Sequence, residues 1–149
     1  MIKNISNLGD SAVYCDFGTD VNETVNSNVI NYFNHLTDFI KKGKIVGINN
    51  LTPSYNKLIV SYDLSLTNFL KLKKTIENLE IYNDIKKKNQ TIEVPVCCDG
   101  EYGLDFDRLN QKLNLSKEEI LKLYFNKEYF CYMTGFIAGM PFLGDVNEK

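Results

Sequence analysis

The sequence predicts an α+β fold, with a ββαββα module in its first 81 residues and a β-rich stretch after it. Three patterns carry that prediction. Residues 11–17 alternate, with Val13, Cys15 and Phe17 on one face and Ala12, Tyr14 and Asp16 on the other, as a half-buried strand does. Residues 21–42 change period: Val25, Val29, Phe33, Leu36 and Ile40 recur at steps of three and four and line one helix face. A second stripe of that kind, Phe69, Leu72, Ile76 and Leu79, follows a second pair of strands. Two amphipathic helices on one face of a four-stranded antiparallel sheet bury all these stripes together.

Each element has its own signal. Residues 2–6 are expected to form the first strand, turned by Asn7, Leu8, Gly9 and Asp10 into the second. The first helix closes at Lys41, Lys42 and Gly43, with cations near its negative end and a glycine stop. Strands are expected at 45–49 and 58–62, joined by a loop through Thr52, Pro53, Ser54, Tyr55 and Asn56. Ser65 is suited to cap the second helix. Residues 82–90 are polar and lysine-rich and read as a linker, with Lys86, Lys87 and Lys88 a solvated run within it.

Beyond the linker, residues 91–97 read as a strand in which Pro95 marks an edge or a bulge. Asp99, Gly100, Glu101, Tyr102 and Gly103 form a turn, and Asp105 is suited to cap a short helix carrying Phe106 and Leu109. Ser116 with Glu119 three positions on is a capping box, opening a helix with Ile120, Leu121 and Tyr124. Residues 129–134 read as a strand running into a glycine-spaced segment, 135–144. So few strands do not close a sheet, so a continuing polypeptide or another chain is expected to complete it.

Composition excludes several functions. A net charge of -2 speaks against nucleic acid as the main partner, because phosphate binding needs clustered Lys and Arg. The first ten residues lack the apolar core of a signal peptide, and no apolar run approaches the roughly 18 residues of a membrane span. A cytoplasmic protein with Cys15, Cys97, Cys98 and Cys131 reduced is therefore expected, with no membrane partner. The single histidine, His35, rules out multi-histidine metal sites within the chain, and its helical position reads as surface.

Two segments are candidates for chemistry. Glycines spaced through 135–144 let backbone N–H groups approach an anion or a carbonyl oxygen. The segment lacks the Lys-Ser/Thr pair of a phosphate-binding P-loop and the spacing of a dinucleotide fingerprint, and by physics alone a bulged barrel corner is the first reading, a ligand-cradling loop the second. Asp99, Glu101 and Asp105 place three carboxylates in seven residues; caps and solvated turn carboxylates explain them equally well, and Glu101 is the preferred candidate for acid–base work. Tyr124, Tyr129, Phe130 and Tyr132 read as a core cluster or a ligand-facing wall.

Four stretches, in order, resemble one family: residues 8–13 (LGDSAV), 51–60 (LTPSYNKLIV), 92–105 (IEVPVCCDGEYGLD) and 129–144. The family comprises the B-type subunit of 5-oxoprolinase, the Kip-type inhibitor of a sporulation histidine kinase, and allophanate hydrolase subunit 1. The resemblance implies a small α+β domain over 1–81, a linker over 82–90, and the incomplete start of a cyclophilin-like β-barrel over 91–149. It implies a member of an ATP-dependent complex that opens 5-oxoproline to glutamate, inactive alone, with A-type and C-type subunits as partners and ATP with magnesium in the assembly. Inhibition of a histidine kinase by docking, or a part in urea and allophanate metabolism, are the alternatives. Glu101 is then the catalytic candidate, and Gly135, Phe136, Gly139, Pro141, Gly144 and Tyr102 are candidates for binding substrate or ATP. There are two departures from the family. Its last motif usually reads G-F-x-P-G-F-P-Y-L-G, where this chain has Ala138 and Met140; and Tyr124 stands near where members often carry a histidine.

Overall fold

The computed structural model describes residues 1–81 and 90–145. The expected linker at 82–90 lies, but for Gln90, outside the described residues. The chain forms two compact units, Met1–Lys86 with Cys131–Phe142, and Lys87–Phe130 with Leu143–Lys149.

The first unit holds the predicted ββαββα order: β1 (Asn4–Leu8), β2 (Ala12–Asp16), α1 (Glu23–Lys41), β3 (Ile48–Pro53), β4 (Lys57–Tyr62) and α2 (Phe69–Glu77). The strands form one antiparallel sheet in the order β1-β2-β4-β3. Register follows the alternation: Val13 faces Val60 and Cys15 faces Leu58, and all four are fully buried. Val29 and Leu36 of α1 and Leu72 and Ile76 of α2 join them in one core, so both helices lie on that face of the sheet. Burying each such aliphatic side chain contributes ~1.5–3 kcal/mol.

Helix ends are fixed locally. Asn22 caps α1 by accepting from the Val25 N–H at 2.9 Å. Its other end closes as predicted at Gly43, where the Lys44 N–H reaches the Phe39 carbonyl and the Gly43 N–H reaches that of Ile40. Asn68, not Ser65, caps α2, accepting from the Lys71 N–H at 3.0 Å. Ser65 is held back in a turn, where its N–H and hydroxyl both donate to the Asp63 carboxylate. The third strand begins three residues later than the expected 45–49 and runs to Pro53. Gly47 sits at φ 90, outside the strand range, and the ladder with β4 begins at Ile48 with a register shift before Asn50.

The second unit contains a 3₁₀ turn (Gly100–Tyr102), α3 (Phe106–Leu113) and α4 (Lys117–Phe125). The capping box at Ser116 is present in both directions. Asp105 precedes α3 without accepting a capping hydrogen bond, and pairs with Arg108 at 3.2 Å instead. The strand expected at 91–97 is absent. That segment is irregular, with Ile92, Val94 and Val96 exposed at 73%, 66% and 52%. Its apolar alternation meets no partner strand among the described residues, and unpaired alternation does not make a sheet.

The last two strands, β5 (Cys131–Thr134) and β6 (Pro141–Leu143), pair as a two-stranded sheet. Among the described residues no helix is long and apolar enough to cross a membrane.

Candidate functional site

The glycine-spaced segment is the connection of the β5–β6 hairpin. The Gly135 N–H donates to the Met140 carbonyl at 3.1 Å and closes the loop base. Within the loop, the Ile137 N–H reaches back two residues to the Gly135 carbonyl at 2.8 Å, with Phe136 between them at φ 66. This is a γ-turn of the rare, strained positive-φ kind. The Met140 N–H then donates to the Ile137 carbonyl at 3.2 Å, placing Gly139, φ 81, at the third position of a four-residue turn, where glycine is favoured. The Phe136 ring stands 91% exposed at the tip, and Ile137 beside it is exposed.

This wiring decides which backbone N–H groups of the loop are already used. Gly135 spends its N–H on Met140, and Gly144 spends its own on the Phe130 carbonyl at 3.1 Å. The N–H groups of Phe136, Ala138 and Gly139 donate to no acceptor among the described residues. Pro141 opens β6, the strand position where a missing N–H costs least.

The hairpin's seat comes from Ser54 and Tyr55, in the loop that by sequence alone reads as an ordinary turn. Tyr55 packs against Tyr132 at 5.5 Å between ring centroids and against Phe142 at 6.3 Å. The Ser54 hydroxyl approaches the Met133 sulfur at 3.5 Å. The buried Asn26 of α1 donates from Nδ2 to the carbonyls of Ser54, Tyr55 and Tyr132. Sequence reasoning missed Asn26, because a polar residue beside a helix stripe reads as solvent-facing. The residues after Tyr55 tie down the segment before α1: Asn56 donates to the Gly18 and Asp20 carbonyls, and Lys57 to the Gly18 carbonyl and to Asp16 Oδ1. The Lys57 ammonium, then the Gly18 N–H, hold the Asp16 carboxyl below its usual pKa.

Glu101 and Tyr102 lie in the 3₁₀ turn of the second unit, both exposed. Gly135, Phe136, Gly139 and Pro141 lie in the first unit, and Gly144 in the second. The aromatic group divides likewise: Tyr132 is buried with Tyr55, whereas Tyr124 stacks at 5.5 Å on Tyr129, whose hydroxyl donates to the Tyr124 carbonyl. Burial pushes the Cys15 thiol up to about 12, so it is a core residue without nucleophilic character at neutral pH. His35 Nδ1 donates within its own helix, to the Asn31 carbonyl at 2.9 Å.

The pattern of the carboxyltransferase domain, subdomain C and D, matches residues 3–149. The chain belongs to that family. Among relatives of this carboxyltransferase C/D chain, the B-type subunit of 5-oxoprolinase from Bacillus subtilis is 32% identical over 97% of this chain and 64% of its own length. The corresponding 5-oxoprolinase subunit of Haemophilus influenzae is 30% identical over 70% of this chain and 46% of its own. The chain thus spans under two thirds of the curated relatives it matches. The crystal structure of TTHA0988 superposes with a TM-score of 0.74 at 26% identity, covering 92% of this chain and 26% of that one.

Proposed function

We propose that this chain acts as a B-type subunit of a 5-oxoprolinase complex, opening 5-oxoproline to glutamate together with A-type and C-type subunits. The observation that carries this reading is the 32% identity to a B-type 5-oxoprolinase subunit along 97% of the chain. In this reading residues 91–149 supply the first strands of a cyclophilin-like barrel. The exposed alternation of Ile92, Val94 and Val96 supports it, since further strands would give those side chains a partner.

The hairpin loop is the part of the site this chain contributes. Ring opening adds water across the lactam C–N bond, and the departing nitrogen takes up a proton. ATP, with its magnesium, supplies the activation that makes the hydrolysis favourable when the complex binds it. Negative charge gathers on the carbonyl oxygen as water adds. Fixed backbone N–H donors aimed at such an oxygen are worth ~2.7–4 kcal/mol each in catalysis. The N–H groups of Phe136 and Gly139, which donate to no acceptor among the described residues, suit that oxygen, or a phosphate oxygen, equally well. Among the described residues no three His, Cys, Asp or Glu side chains cluster to hold a metal. Glu101 is the candidate proton carrier, and Tyr102, Pro141 and Gly144 are candidate contacts to substrate or ATP.

The deciding experiment is ATP-dependent glutamate release from 5-oxoproline, with this chain co-expressed beside its A-type and C-type partners. Activity that vanishes when this chain alone is omitted supports the reading. A stable assembly that releases no glutamate refutes it.

A further inference from the structure

We infer that Asn26 is a positioning residue for the hairpin loop, holding β5 against the 54–55 loop through one buried side-chain amide. Asn26 is 2% exposed, and its Nδ2 lies 3.2 Å from the Ser54 carbonyl, 3.0 Å from that of Tyr55 and 3.1 Å from that of Tyr132. Two amide protons serve three acceptors, so the nitrogen is fully committed and one proton is shared. The third acceptor lies 106 positions along the chain, in the strand that runs straight into Gly135.

The ring and sulfur contacts of the hairpin do not fix its place along the seat. Tyr55 against Tyr132 and Phe142 is ring packing, and Ser54 to Met133 is a weak sulfur contact. Ring packing tolerates sliding, whereas a hydrogen bond fails steeply with distance and angle. The loop beyond holds Phe136 in a strained γ-turn, and such strain persists only where the surroundings over-determine the backbone. Asn26 is a directional part of that constraint. Its effect on catalysis rests on reading the loop as the oxyanion-holding element.

The test uses the full chain with Asn26→Asp and Asn26→Leu, reading amide exchange by NMR. The ionised aspartate only accepts and faces three carbonyls, whereas its protonated form regains one donor. Amides of Gly135, Ile137 and Met140 are expected to lose protection at least about tenfold in both variants, while amides of β2 and β4 keep theirs. In Asn26→Asp alone, hairpin protection factors recover as pH is lowered. Unchanged hairpin protection overturns the inference, and so does joint loss of hairpin and sheet protection, which marks a general core residue. In the assembled complex, kcat is expected to fall about tenfold with KM within about threefold. A loosened hairpin with wild-type kcat overturns the positioning role. Exchange needs no turnover, so an assembly inactive even with the unaltered chain sinks the functional reading and leaves the exchange result standing.

Discussion

Gly139 and Gly135 sit four residues apart in one loop, and the structure gives their substitution opposite consequences. At Gly139 an added Cβ meets nothing within 4 Å, so no clash arises; the cost is wholly conformational, because φ is 81. Placing an L-residue there costs ~1–2 kcal/mol, and a β-branched one more. If the loop escapes that cost by leaving its native turn, the competent population falls by a factor of roughly 5–30. Gly135 lacks positive φ, and a Cβ there would lie 3.3 Å from Met133 Cε, the far end of a flexible side chain that can yield. Gly139→Ala is therefore expected to cut glutamate release by the assembled complex roughly 5–30-fold. Gly139→Val should abolish it, and Gly135→Ala should stay within about twofold. Far-UV circular dichroism and urea midpoints should show the first unit folded in all three. Full turnover by Gly139→Val, or an equal loss in Gly135→Ala, would refute the assignment of the loop's geometry to the site.

Three further outcomes follow from named contacts. Glu101→Gln should lower kcat at least about tenfold if the carboxylate moves a proton, and wild-type activity would leave it a plain turn residue. Ala138→Pro should stabilise the chain by ~0.4–1 kcal/mol in urea unfolding, since Ala138 is the second residue of its turn and its N–H has no acceptor among the described residues; destabilisation would show the turn misassigned. Asp16 has a folded pKa below its unfolded value, so its contribution is full above the unfolded value and fades as pH falls through the folded one. Its carboxylate and the Lys57 ammonium are about a third and a fifth exposed, which limits the pair to ~1 kcal/mol. Lys57→Met should lower the urea midpoint near neutral pH and narrow the gap between variant and parent at about pH 3; a constant gap would assign the loss to packing.

The parts of the fold legible in the sequence are those written in local patterns. The stripe of α1, the alternation of β2 and the capping box at Ser116 each need only neighbours within a few residues. The strand expected at 91–97 failed for the converse reason: Ile92, Val94 and Val96 alternate correctly, but a strand is made by its partner. The first residues of β3 misled because apolar Ile45 and Val46 precede Gly47, whose positive φ delays the ladder. The loop itself was legible from its glycines, though not which N–H groups it uses, since that depends on which carbonyls its turns consume. Asn26 was illegible because its partners are 28, 29 and 106 positions distant.

That longest separation bears on how the chain is made. The sheet and both helices of the first unit end by Glu77, yet the strand that occupies Asn26 begins only at Cys131. At ~5–20 residues per second, a ribosome emits Tyr132 roughly 5–20 s after Asn26. For that interval the nascent module lacks only the third of Asn26's carbonyl partners but carries an uncovered Tyr55, the kind of exposed surface a chaperone recognises. A fragment cut after α2 would be caught permanently in that state. An excised module therefore needs residues 131–142 restored, by a short splice after α2 or by adding the hairpin as a separate peptide.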